Sequence, residues 1–100
     1  MVHRFDTELW RYQGDAAWFF VTVPQDVSDD IRESVIGPRR GFGSVRVRAT
    51  VGGTVWSTSV FPQSKEGTFV LPVKKAVRQA EGVDEGDQIS VTLEVLDPTA

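Results

Sequence analysis

Apolar and polar residues alternate clearly between Ser44 and Val60, a period of two that marks strands with one buried face. Gly52-Gly53 interrupts the alternation, so Ser44–Val51 and Thr54–Val60 form a hairpin. Two glycines suit a type I′ turn, whose central residues both need positive φ. A two-residue turn sets the register, with Val51 opposite Thr54, Ala49 opposite Trp56, Val47 opposite Thr58 and Val45 opposite Val60. Those pairs share the inner face. Arg46 and Arg48 then stand outside, across from Ser59 and Ser57.

Elsewhere the pattern predicts four more strands and two helices. Arg4–Tyr12 mixes aromatics and Leu9 with charged residues, and Gln13-Gly14-Asp15 ends it as a turn. Ala17–Val23 is almost wholly apolar, as in a strand covered on both faces, and Pro24 stops it. Val27, Ile31 and Val35 recur every four residues, giving a helix over Val27–Ile36 with Asp26 or Ser28 as cap and Gly37-Pro38 as terminator. Phe61–Gly67 reads as a loop spanning two strands, with closure over a ligand as its alternative role. Thr68–Leu71 is a short strand. Val73–Glu81 is a helix with Val73, Ala76, Val77 and Ala80 on one face. Asp84–Asp87 is a turn, and Gln88–Leu96 alternates through Ile89, Val91, Leu93 and Val95. Asp87 is read as a turn former rather than a site residue.

Laid end to end, the elements run strand, strand, helix, strand, and then repeat. Each half carries an apolar strand entering a proline, Pro24 and Pro72. Each then has valine, three residues, a β-branched residue and arginine: Val27…Ile31-Arg32 and Val73…Val77-Arg78. The expected domain is residues 1–100, with halves over about 4–51 and 54–97.

The second half, FVLPVKKAVRQAEGVDEGDQISVTLEV, resembles the half-barrel unit of AbrB/MazE-type transcription factors. That resemblance implies a mainly β fold, a double-split-type β-barrel of about six strands and two short helices. The repeat implies that both units lie in one chain as a pseudo-two-fold ββαβ pair, hence a monomer or weak dimer. Over nearly its full length the sequence also resembles a bacterial family known only as domain of unknown function nineteen-oh-five. The matching stretches are AWFFVTVP, GFGSVRVRATVGG, TSVFP, LPVKKAVRQAEG and Gly86-Asp87. In some relatives this domain precedes a second one related to bacteriocin-protection proteins. The resemblance implies a fold and no assigned activity.

Composition narrows the chemistry. The chain has no cysteine and one histidine, His3, so thiol chemistry, Cys-ligated zinc, histidine-pair metal sites and a Ser/His/Asp triad all lack their parts. His3 is expected to be a surface residue near a mobile end. No cofactor or metal is expected, and an enzyme is the least supported class. No run reaches the roughly twenty apolar residues of a membrane span, and the opening MVHRFDTELW lacks a signal-peptide core, so a cytoplasmic protein without membrane contact is expected. The net charge of −3 argues against a dedicated nucleic-acid binder.

Charge is nevertheless uneven. No acid occurs between Ser34 and Lys65, whereas Arg39, Arg40, Arg46 and Arg48 all do. With the hydroxyls of Ser57 and Ser59, these arginines form the candidate ligand-binding face for a small anion, or for nucleic acid in the alternative function. The plainer reading is a solvated face that discourages pairing with other sheets. Trp18 and Trp56 are expected in the core, and Trp10 stays open between core and binding surface. Asp29, Asp30 and Glu33 read as the solvated face of the first helix. The function expected is therefore a non-enzymatic binding or accessory module for a small anionic ligand or a protein partner.

Overall fold

A computed structural model describes residues 2–14, 18–34, 43–63 and 67–96. They form seven strands and two helices in the order β1 (Val2–Glu8), β2 (Trp10–Arg11), β3 (Phe19–Thr22), α1 (Gln25–Ser34), β4 (Val45–Val51), β5 (Thr54–Pro62), β6 (Phe69–Pro72), α2 (Lys75–Glu81) and β7 (Gln88–Val95). All strand pairs are antiparallel within one curled sheet of order β1-β7-β4-β5-β6-β3-β2.

The two edge strands are consecutive in the chain, separated by Leu9 alone. This explains seven strands where the pattern predicts six: the segment from Arg4 to Tyr12 is one extended stretch broken at a fully buried leucine. At the break, Leu9 N–H donates to the Asp87 carbonyl (2.9 Å) and the Leu9 carbonyl accepts from Gly86 N–H (2.8 Å). The predicted DEGD turn thus docks on the kink. Asp87 has the turn role expected of it, its carboxylate accepting the Asp84 N–H at 2.8 Å.

The hairpin register agrees at every expected pair, from Val51↔Thr54 to Val45↔Val60, with Arg46 opposite Ser59 and Arg48 opposite Ser57. Its turn differs. Gly52 has φ 59° while Gly53 is not in the positive region, the pattern of a type II′ turn. Both types connect right-twisted strands, which is why the register is the same.

Pairing repeats between the halves. Phe5↔Val91 between β1 and β7 corresponds to Trp56↔Ala49 between β5 and β4, and Trp10↔Phe20 corresponds to Phe61↔Val70. The long β5 does in one piece what β1 and β2 do in two. Val23 N–H donates to the Phe69 carbonyl, and Val73 N–H to the Phe19 carbonyl, both at 2.9 Å. Val23 and Val73 are therefore counterparts, as are Phe19 and Phe69. The sequence repeat equates Val27 with Val73 and Pro24 with Pro72; strand pairing instead sets Pro24 against Lys74 and Pro72 against Thr22. The same register runs on into the helices, which begin at Gln25 and Lys75, so Val27 falls against Val77 and Ser28 against Arg78.

One core joins the inward positions of all these elements: Val45, Val47, Ala49 and Val51 of β4, Ile89, Val91 and Leu93 of β7, and Val27, Ile31 and Val77 from the helices. Each such valine, isoleucine or leucine contributes about 1.5–3 kcal/mol on burial. Ala76 and Ala80 are exposed, so the inward side of α2 is narrower than its spacing suggests. Ser28 is no cap. It is fully buried, donates to the Val23 carbonyl (3.1 Å) and accepts from Phe69 N–H (3.0 Å), tying α1 to β6. His3 belongs to β1 opposite Leu93, with its Nε2 buried and without a hydrogen-bond partner among the described residues. No helix of the described residues is long and apolar enough to cross a membrane.

Candidate functional site

Between α2 and the middle of β5 lies a cleft of about 390 Å³, at the lower end of the size range of small-molecule sites. Trp56, Ser57 and Thr58 form its β5 side, and Trp18, Phe19, Pro72 and Val73 its other wall. Lys74, Lys75 and Arg78 complete the lining, which contains no carboxylate among the described residues.

Arg78 is placed by stacking. Its guanidinium carbon lies 3.7 Å from the centroid of the Phe19 ring, and its Nε–H donates to the Val73 carbonyl at 3.3 Å. Among the described residues no acceptor takes its terminal N–H groups and no carboxylate pairs with it. The acid one turn further on, Glu81, is turned away and accepts from the Thr54 hydroxyl beside the hairpin. A guanidinium held over a ring and by its Nε–H leaves its terminal N–H donors for a carboxylate or phosphate.

The other half of the fold serves as an internal control. Arg32, paired with Arg78 by the sequence repeat although the backbone register sets Arg78 against Ser28, makes the analogous contact over Phe69, the counterpart of Phe19, at 5.7 Å. Its charge is already engaged: one terminal nitrogen donates to Asp29 at 2.9 Å and the other to the Gly67 carbonyl. Asp29 also accepts from Gln25 Nε2 at 3.0 Å, and its carboxyl is held below the ordinary value of 3.8, first by the Gln25 hydrogen bond and then by Arg32. The strand counterparts of Trp18, Trp56, Ser57, Lys74 and Lys75 are Thr68, Phe5, Asp6, Pro24 and Gln25. The differences between halves thus gather large aromatics and free cations around one of two equivalent places, and put an acid at the other.

The arginine face fares differently. Arg46 and Arg48 are exposed on the outer side of β4, as the register requires. Arg48 is paired with its cross-strand neighbour Glu94 at 2.6 Å, which cancels much of its pull on an external anion. Ser59 is half-buried and Ser57 exposed, and of these residues only Ser57 lines the cleft. Arg39 and Arg40 lie outside the described residues.

Trp18 corrects an expectation. It is 55% exposed rather than buried, whereas Trp56 belongs to the core. Trp10 is half-buried, donating its indole N–H to the Thr22 hydroxyl at 3.0 Å and packing on Phe20 with ring centroids 5.2 Å apart. Charge patterning does not mark out Lys74, Lys75 and Arg78, because at the start of α2 and along it they resemble any solvated helix face. The repeated arginine was the available signal.

A family model described as a domain of unknown function (DUF1905) matches residues 5–93. No curated protein matches the chain.

Proposed function

We propose that the chain, which belongs to the DUF1905 family, is a non-enzymatic binding module that takes a small anionic ligand in the cleft between α2 and β5. One observation carries this reading: Arg78 lies over Phe19 with no carboxylate partner among the described residues, whereas Arg32, in the analogous contact over Phe69, is paired with Asp29. Lys74 and Lys75 add cationic charge, and the Ser57 and Thr58 hydroxyls add hydrogen-bonding capacity. The aromatic wall lowers the local dielectric, which strengthens each charge contact. In this reading the site moves from the hairpin arginines to α2, with Ser57 common to both.

The architecture is read as a double-split-type barrel, supported by the single-residue passage from one sheet edge to the other and by the repeated pairing scheme. Nucleic-acid binding through Arg46 and Arg48 is the second reading, and the Arg48–Glu94 pair weakens it.

The test is calorimetric titration at low salt with inorganic phosphate and small carboxylates, on the natural chain and on Arg78→Ala and Arg32→Ala. Binding that Arg78→Ala abolishes and Arg32→Ala preserves is the expected result. Equal loss in both variants, or no heat in any, would refute the assignment. A saturating ligand also raises stability, by about 2.7 kcal/mol at a hundred times its Kd.

A further inference from the structure

The aromatic residues around Trp18 make a column with one open end. Trp10 packs on Phe20 at 5.2 Å and 34°, and Phe20 in turn stacks with Trp18 at 6.3 Å and only 10° between ring planes. Among the described residues Trp18 has one parallel neighbour, and it lines the cleft and remains 55% exposed. A large exposed indole, parallel to one ring and lining the cleft, offers area on which a second ring can stack. The matching position in the other half holds Thr68, whose hydroxyl hydrogen-bonds Gln63 at 3.1 Å, so the repeat itself does not require an aromatic there.

Next to that surface stand three cations, Lys74, Lys75 and Arg78, with no carboxylate among the described lining residues. A single carboxylate matches one arginine fork. Three cations match the charge of about −1.5 to −2 on a phosphomonoester. Base–aromatic stacking on an exposed side chain, beside a phosphate held by basic residues, is an established pairing of forces.

From this we infer that the ligand of the cleft is a phosphorylated heteroaromatic compound of mononucleotide size, with its ring added to the Trp10–Phe20–Trp18 column and its phosphate at Arg78 and the two lysines. This rests on the anion-binding reading of the same cleft and adds the ring. Free mononucleotide and the 5′-phosphorylated end of a nucleic acid share that chemistry; the volume of about 390 Å³ favours the free nucleotide.

The experiment titrates the full chain at low salt with 5′-AMP, ribose 5-phosphate, adenosine and inorganic phosphate, reading calorimetric heat and tryptophan fluorescence. Expected is AMP bound more tightly than ribose 5-phosphate or adenosine, with quenching that disappears in Trp18→Ala. Losing one stacked base costs roughly tenfold or more in affinity, so Trp18→Ala should weaken AMP by that factor and inorganic phosphate by much less. Trp18→Phe should restore part of the loss. If ribose 5-phosphate and phosphate bind as well as AMP and Trp18→Ala changes nothing, the ring inference fails while the anion site stands. If no anion binds, both fail. A 5′-phosphorylated hexanucleotide that binds far more tightly than AMP, with affinity falling steeply with salt, would overturn the free nucleotide in favour of a nucleic-acid end.

Discussion

Arg78 lies over Phe19, its guanidinium carbon 3.7 Å from the ring centroid, and this contact joins the helix of one half to the first buried strand of the other. Arg32 does the same over Phe69 at 5.7 Å, with Asp29 and Gly67 as further partners. The two arginines should therefore separate stability from binding. A partly shielded cation–π contact contributes about 0.5–2 kcal/mol, so Arg78→Ala should lower the urea midpoint by that order and remove anion binding. Arg32→Ala should lower the midpoint at least as much while leaving binding intact. Arg78→Lys keeps the charge without the flat fork, and an affinity between those of Arg78 and Ala is the outcome expected of titration. A lysine variant that binds as well as the arginine would show that charge alone matters.

Ser28 is the buried polar link between α1 and β6. Replacing it by alanine leaves the Phe69 N–H without its acceptor in the core, a desolvation cost of about 1–3 kcal/mol. Urea unfolding of Ser28→Ala should show a loss in that range with an unchanged m-value. A change below about 0.5 kcal/mol, the scale of ordinary surface substitutions, would mean another group satisfies that N–H.

The hairpin and the cleft differ in how much of them could be read from the chain. Register was legible because Gly52-Gly53 leaves only two residues between alternating strands, and neither turn type shifts the pairing. Trp18 was not legible. The stretch AWFFVTV has no polar alternation to say which side chains face inward, and β3 begins only at Phe19. The repeat was visible as strand-proline-helix, but the prolines were misleading anchors, because the counterpart of Pro24 is Lys74. What makes the site is the pairing of halves in space. A local pattern in the sequence cannot express that Arg32 pairs with Asp29 while Arg78 has no carboxylate partner among the described residues.

The turn makes a second stability prediction of opposite character at adjacent residues. At Gly52, with φ 59°, a Cβ would meet the Glu81 carboxylate that accepts from Thr54. Gly52→Ala should destabilise by about 1 kcal/mol or more, from backbone strain and loss of that hydrogen bond. At Gly53 nothing lies within 4 Å of the added carbon and φ is not positive. Gly53→Ala should be neutral or slightly stabilising. Thermal melts of the two variants decide it, and equal losses would argue for a type I′ turn.

Acid should act through α1. The Asp29 carboxyl is held below 3.8 by Gln25 first and by Arg32 second. A carboxyl whose folded value is depressed adds stability above its unfolded value and loses it as pH falls through the folded one. The contribution of Asp29 is thus complete at neutral pH and disappears below about pH 3.8, between the unfolded and folded values. Asp29→Asn should flatten this part of the acid-unfolding curve, and added salt should shrink the difference, since the group is exposed. Identical acid transitions for variant and natural chain would remove Asp29 from the account.

The hairpin arginines allow the sharpest comparison with the cleft. Arg48 and Glu94 are both about half exposed, and pairs of this kind contribute about 0.2–1 kcal/mol. Arg46→Ala/Arg48→Ala should change stability little and leave phosphate titration unaffected, because the anion is assigned to Arg78. Glu94→Gln frees the Arg48 guanidinium without removing it. If the hairpin face were the binding surface, that substitution would raise affinity for phosphate at low salt, and the double arginine variant would abolish it. The cleft assignment requires that neither change occurs while Arg78→Ala removes binding, so four titrations at one low ionic strength distinguish the two surfaces.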